Sequence, residues 1–140
     1  MERRASAQWK GGLKDGNGNV STASGALKSV PYTFSMRFED EPGTNPEELV
    51  AAALGSCFSM ALSSELGKAG LRPERIETTA TLNFEKLEAG WTATSIHLTV
   101  AAKVPKADRP TLEKAAEAAR TGCPVSRLLK ATITMEVRLL

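Results

Sequence analysis

The sequence predicts an α+β protein in which antiparallel sheets wrap around a long central helix. Two patterns carry that expectation. From Leu49 to Ser64 no residue is charged on any face, and from Ile76 to Val100 apolar and polar residues alternate with one interruption. A surface helix keeps a polar side, so a helix with no charge around its circumference is expected to be buried all round. Strict alternation is the mark of strands with one face buried. The chain has 140 residues, 41% hydrophobic and 24% charged, which suits one domain (1–140) able to bury a core.

The elements are expected in the order β-β-β-α-β-β-α-α-β. Ala7-Gln8-Trp9 and Val20-Ser21-Thr22 are short strands around Asp15-Gly16-Asn17-Gly18-Asn19, which is rich in turn residues. Tyr32 to Phe38 alternates, with Tyr32, Phe34, Met36 and Phe38 on one face and Thr33, Ser35 and Arg37 on the other, and so predicts a third strand. Asp40 to Asn45 then delivers the chain to the central helix. Asn45 suits its cap, Pro46 its first position, and Glu47 and Glu48 the positive end of its dipole. Gly67 offers a left-handed stop. The stretch is too short, and too rich in Gly and Ser, for a membrane span.

Beyond Gly70, Ile76, Thr78, Ala80, Leu82 and Phe84 share one face of a strand that turns at Glu88-Ala89-Gly90. Thr92, Thr94, Ile96, Leu98 and Val100 share a face of the return strand, making a hairpin. A helix follows from about Arg109 to Thr121, capped by Asp108 and buried through Leu112, Ala115, Ala116 and Ala119. Gly122 ends it, and Cys123-Pro124 begins a short helical segment. The last strand runs from Thr132 to Leu139.

Composition narrows the function. The net charge is +2 with basic residues dispersed, which argues against duplex nucleic acid as the main partner. No apolar run follows Met1-Glu2-Arg3-Arg4, so no secretory signal and a cytoplasmic location are expected. Two cysteines in a reducing compartment are reactive or inert more often than a structural staple. Cys57, in mid-helix, reads either as a small buried hydrophobe or as a reactive thiol. Cys123, before a helix, meets unsatisfied N–H groups that favour thiolate, or is a cap that happens to be cysteine. With one His and no CxxC pair, a metal site is not expected.

His97 lies on a strand in line with Ser95 and Thr99 and reads as a solvent-face residue. Arg37 is either exposed or placed beside a thiolate, where it would lower the thiol pKa. Asn45 and Glu48 are spaced as a capping box, which leaves Glu47 the freer carboxylate to hold an arginine. Gly67-Lys68-Ala69-Gly70 matches the GxxG loop of KH-type RNA-binding modules, but a strand rather than a helix follows, so it reads as a helix end.

Four blocks in order carry a resemblance: Arg37-Phe38-Glu39, Thr44-Asn45-Pro46-Glu47-Glu48-Leu49, Cys57-Phe58-Ser59-Met60-Ala61-Leu62 and Gly122-Cys123-Pro124-Val125-Ser126. They resemble the OsmC/Ohr family of osmotically inducible and organic hydroperoxide resistance proteins, the OsmC branch more closely. The resemblance implies an OsmC-like fold, an intertwined homodimer, and a thiol peroxidase that needs an external dithiol reductant and no bound cofactor. Organic hydroperoxides would be the preferred substrates, with hydrogen peroxide reduced more weakly. By the matching blocks Cys57 would be the peroxidatic thiol, Cys123 the resolving one that closes a Cys57–Cys123 disulfide, Arg37 the activating cation and Glu47 the carboxylate that positions it. The Ohr branch takes its arginine from an earlier stretch, so Arg37 rests on its own block alone.

Helix geometry adds an expectation of its own. Glu47 and Cys57 are ten positions apart on one helix, about 15 Å at 1.5 Å per residue. Two such helices packed antiparallel across a dimer axis would bring Glu47 of one subunit nearer to the other's cysteine, which predicts active sites shared between subunits. The competing readings are a non-catalytic small-molecule-binding member of the same fold and a KH-like RNA binder.

Overall fold

The computed structural model describes residues Met1–Leu140. Its ten elements fall into two compact units, Met1–Leu49 and Val50–Leu140, whose boundary lies inside the long helix. In the first unit β1 (Ala5–Lys10), β2 (Asn17–Thr22) and β3 (Val30–Tyr32) form an antiparallel sheet in that order. The strands reach further than the alternation alone suggests, and Asn17 to Asn19 belong to β2 rather than to the turn. At Gly18 the Trp9 and Tyr32 rings close over the backbone, with centroids 5.4 Å apart. A Cβ at this position would lie 2.7 Å from the Trp9 ring and 2.8 Å from the Tyr32 ring, so only glycine fits.

The expected third strand stops at Tyr32. Thr33 caps a short helix, α1 (Phe34–Phe38), its Oγ1 accepting from the Met36 N–H at 3.2 Å. The alternation misleads here because residues four apart share a face in both structures. Phe34 and Phe38 meet across one helical turn, ring centroids 5.0 Å apart. The threonine that would have been an outward strand residue is the cap that ends the strand.

Helix α2 (Pro46–Lys68) begins as expected, with Asn45 Oδ1 accepting from the Glu48 N–H at 2.8 Å. It ends later than expected. Gly67 stays helical, and Gly70 takes the left-handed conformation at φ +75° while the Leu71 N–H donates to Leu66 O. Reaching Lys68, the helix is long and apolar enough to cross a membrane, contrary to the expectation from its length. One side of it lies on a sheet.

In the second unit β4 (Arg75–Leu87) and β5 (Gly90–Lys103) form the hairpin, with a register shift at Asn83/Phe84. The last strand, β6 (Thr132–Leu139), pairs parallel with β5, so this sheet is mixed rather than wholly antiparallel. A parallel neighbour requires a crossover, supplied here by α3 (Arg109–Gly122) and α4 (Pro124–Leu128). Asp108 caps α3 through the Thr111 N–H at 2.8 Å, and Leu112, Ala115, Ala116 and Ala119 form its buried stripe.

The core of this unit joins Leu54, Phe58, Leu62 and Leu66 of α2 to Ile96, Leu98, Val100 and Ala102 of β5 and to the α3 stripe. Beside it Ser59 Oγ bonds Thr78 Oγ1 at 2.8 Å and pins the helix to β4. The rest of the helix departs from the sequence expectation. Ala52, Ala53, Ser56, Met60, Ser63 and Ser64 are exposed, Met60 to 77%. One sheet can cover only one side of a helix, and the uncharged remainder faces outward.

Replacing Leu62, which is fully buried, with alanine should lower the unfolding free energy by about 2–5 kcal/mol. Thr79→Ala on the outer face of β4 should stay within about 0.5 kcal/mol. Urea titration of the two variants measures the contrast.

Candidate active site

Each unit contributes one constellation of the expected site residues. In the first, Arg37 in the last turn of α1 grips Glu47 in the first turn of α2. Nε lies 3.1 and 3.2 Å from the two carboxylate oxygens, and a terminal nitrogen lies 2.7 Å from Oε1. This forked pairing gives both energy and a fixed orientation. The guanidinium also stands 5.1 Å from the centre of the Phe38 ring. Glu48 donates its backbone N–H to the cap, and Glu47 is the carboxylate left to hold the arginine. Arg37 therefore projects from a helix rather than from the strand face the alternation suggested. It forms part of the wall of a cavity of about 310 Å³ together with Ala7, Val20, Tyr32, Asn45 and Leu49.

In the second unit the two cysteines meet. Cys57 is half-buried on α2 and Cys123 is buried, both as free thiols near enough for each to shift the other's ionisation. Cys123 occupies the junction of two helices. Its backbone N–H donates to Ala119 O at 3.0 Å and closes α3. Its side chain caps α4, with Sγ accepting from the Ser126 N–H at 3.4 Å and lying 3.1 Å from Ser126 Oγ. Pro124 fits the next position because no N–H is needed there.

The two sulfurs are driven in opposite directions. Burial pushes the Cys57 thiol up, a hydrogen bond from the Val125 N–H offsets part of this, and the neighbouring Cys123 sulfur raises it again. Burial also pushes Cys123 up, but the Ser126 hydroxyl and N–H, the Cys57 thiol and the Val125 N–H together outweigh it. Cys123 therefore lies below the ordinary cysteine range. Of the two sulfurs, Cys123 is the one whose surroundings favour a thiolate. Two neighbouring thiols can lose two electrons and close a disulfide.

Sequence reasoning overlooked Ser126 and the Val125 N–H. The available signal was spacing, since a serine three positions after a capping cysteine is placed to reach back to it. His97 stands apart on the outer face of the second sheet, with Nδ1 2.7 Å from Thr134 Oγ1 and Nε2 3.7 Å from Glu136 Oε1. Gly67-Lys68-Ala69-Gly70 closes α2 and is followed by β4. No cluster of three His, Cys, Asp or Glu side chains stands close enough together to ligate a metal.

The sequence matches the family model for OsmC-like proteins over residues 38–138. It is 48% identical over 139 residues to the peroxiredoxin OsmC of Escherichia coli (strain K12), a match covering 99% of this chain and 97% of that one. It is 24% identical over 123 residues to the organic hydroperoxide resistance protein OhrB of Bacillus subtilis (strain 168), covering 87% and 88% of the two chains. Among solved structures, the B. subtilis OhrB crystal structure superposes with a TM-score of 0.70 at 23% identity over 98% of both chains. An OsmC-like protein of unknown function from Vibrio cholerae superposes with a TM-score of 0.78 at 18% identity over 99% of both chains.

The opposed thiols have a signature in stability. A thiol with a lowered folded pKa stabilises the fold above its unfolded pKa and loses that contribution as pH falls through the folded value. A thiol with a raised folded pKa stabilises below its unfolded pKa and loses the contribution as pH rises towards the folded value. With the double serine variant as reference, Cys57→Ser, which leaves Cys123 to titrate, should gain stability as pH rises through the thiol range. Cys123→Ser, which leaves Cys57, should lose it. Urea unfolding of the three proteins across that range reads the two slopes.

Proposed function

Because the chain belongs to the OsmC-like protein family, we propose that it is a thiol peroxidase that reduces organic hydroperoxides to alcohols, and hydrogen peroxide more weakly. Relatives named as a peroxiredoxin and as organic hydroperoxide resistance proteins support the general activity. The observation that carries the mechanism is that the two free thiols stand near enough for each to shift the other's ionisation.

In this reading the Cys57 thiolate attacks one oxygen of ROOH. An S–O bond forms, the O–O bond breaks, the alkoxide takes a proton and leaves as alcohol, and Cys57 is left as a sulfenic acid. The Cys123 thiolate then attacks the sulfenyl sulfur, hydroxide leaves as water, and a Cys57–Cys123 disulfide closes. An external dithiol restores both thiols with no bound cofactor. The contacts made within one protomer raise Cys57, so the first step needs a cation that they do not supply. We assign that role to Arg37, oriented by Glu47, which would favour the thiolate and stabilise charge on the departing oxygen.

The chain acts as a homodimer with active sites shared between subunits. Between Leu49 and Ser64 the outward side of α2 carries Met60 and small residues and no charge, which suits a second copy better than water. Glu47 and Cys57 stand about 15 Å apart along that helix. An arginine anchored on Glu47 would therefore serve the partner subunit's Cys57. The cytoplasm is the compartment in which the reaction would meet dithiol reductants.

One equivalent of an alkyl hydroperoxide added to reduced protein should remove two free thiols and lower the intact mass by about 2 Da. With Cys123→Ser, oxidation should stop at a trappable sulfenic acid or proceed to the sulfinic acid. Arg37→Ala should slow the oxidation of Cys57 by roughly a hundredfold or more. Survival of both thiols in a large excess of peroxide would overturn the peroxidase reading. Sedimentation should show a species of two chains, and Met60→Asp on the exposed side of α2 should shift it to one. A wild-type monomer at micromolar concentration would exclude the shared site.

A further inference from the structure

Cys123 Sγ has a partner that the thiol chemistry described above leaves unused. Ser126 Oγ lies 3.1 Å from it, and the Ser126 N–H donates to the same sulfur at 3.4 Å. Hydroxyl and amide come from one residue, so Ser126 places two donors on one side of the sulfur while Cys57 lies against it from α2. We propose that Ser126 is a positioning residue for the resolving cysteine, its hydroxyl holding Cys123 Sγ towards Cys57 and taking up the charge on that sulfur whenever the disulfide forms or breaks. The inference rests on the peroxidase reading for its place in the cycle, and on the geometry alone for the charge it stabilises.

The hydroxyl can act in both directions of the exchange. When Cys123 closes the disulfide it must attack as a thiolate, and a thiolate has no proton to give, so Ser126 O–H becomes the donor. When a dithiol reductant reopens the bond, its thiolate can attack either sulfur, and the more accessible one with the better leaving group opposite is favoured. Cys123 is only 1% exposed, whereas Cys57 is half-buried. The incoming sulfur therefore bonds to Cys57 Sγ, the S–S bond breaks, and its electron pair passes to Cys123 Sγ. There the serine hydroxyl and the amide already point at it. The reductant's second thiol, as thiolate, then attacks the reductant sulfur of the mixed disulfide, releasing Cys57 thiolate and the oxidised reductant. Ser126 thus sets which cysteine carries the mixed disulfide.

The other groups around Cys123 leave this role to the serine. Cys57 is the titratable neighbour that acts on it, and the Val125 N–H lowers both thiols and so does not distinguish them. Arg120 of α3 is committed to the Glu117 carboxylate and to Ile133 O at 2.9 Å. Arg127 of α4 is exposed.

The test separates the charge from the cycle. In a Cys57→Ser background Cys123 is the only thiol, and its thiolate can be followed by ultraviolet absorbance against pH, with the Cys57→Ser/Cys123→Ser double variant as the blank. Ser126→Ala keeps the backbone N–H and removes the hydroxyl. At a pH below both midpoints it should cut the thiolate fraction about tenfold, the size expected for one hydrogen bond to a charged atom. Ser126→Thr, which keeps a hydroxyl, should restore the wild-type midpoint, a rescue that loss of packing would not give. With both cysteines present, Ser126→Ala should slow disulfide closure about tenfold at the same pH while the formation of sulfenic acid on Cys57 is not slowed. Superposable titrations with and without the Ser126→Ala substitution would overturn the inference. A wild-type protein that forms no sulfenic acid would overturn the peroxidase reading instead, with the titration still deciding the role of the serine.

Discussion

The second unit depends on one packing contact: the stripe Leu54, Phe58, Leu62 and Leu66 of α2 lying on Ile96, Leu98 and Val100 of the β4-β5-β6 sheet. Side chains four apart on the helix meet side chains two apart on the strand, and all of these are within 1% of full burial. Burial of a large aliphatic or aromatic side chain contributes about 1.5–3 kcal/mol, so this seam is a major source of cohesion in the unit. It also sets the rotation of the helix about its axis. Cys57 precedes the buried Phe58 by one position and so lies at the edge of the stripe, half in and half out of the core. The Ser59–Thr78 hydrogen bond keeps the helix from sliding along β4.

Cys123 is held by a different kind of constraint. One residue ends α3 with its N–H and begins α4 with its sulfur, so its backbone and side chain are both spent on helix termini. Backbone groups at such ends need partners, and a sulfur that accepts an N–H satisfies one of them. The local helix-capping requirement thereby also polarises the thiol. The Arg37–Glu47 pair follows a similar economy. Asn45 and the Glu48 N–H complete the cap of α2, and Glu47, one position earlier, is available to orient a guanidinium.

Much of this was legible in residue order alone. The Asp108 cap, the stripe of α3, the Cys123-Pro124 start of α4 and the bounds of β6 all follow from local chemistry, and the structure has them where the pattern places them. The hairpin and its turn are also as expected, but the register shift at Asn83/Phe84 turns Thr94 to the side of Asn83 and Glu85, which it bonds, so the one face expected from Thr92 to Val100 holds only from Ile96 onward. The Phe34–Phe38 segment was not legible, because a five-residue alternation satisfies a helical turn equally well and the deciding feature was the Thr33 side chain. Gly67 and Gly70 were both plausible helix ends, and only the tertiary course of the chain into β4 distinguishes them. The parallel sense of β6 leaves no mark on alternation, since either direction of pairing buries the same face. Contact between the cysteines is likewise a long-range result, and Ser126 acquires its partner only because a cap is needed at that junction.

The parallel pairing of β5 and β6 carries a consequence for the order in which the molecule is built. The β4–β5 hairpin joins neighbours in sequence, so its loop-closure cost is small, whereas β6 can dock only after the chain has travelled through α3 and α4. Cys123 rides on that detour, and its approach to α2 belongs to the slow, non-local part of assembly. A nascent or half-folded chain therefore keeps its thiols apart, and their proximity is a mark of completed folding.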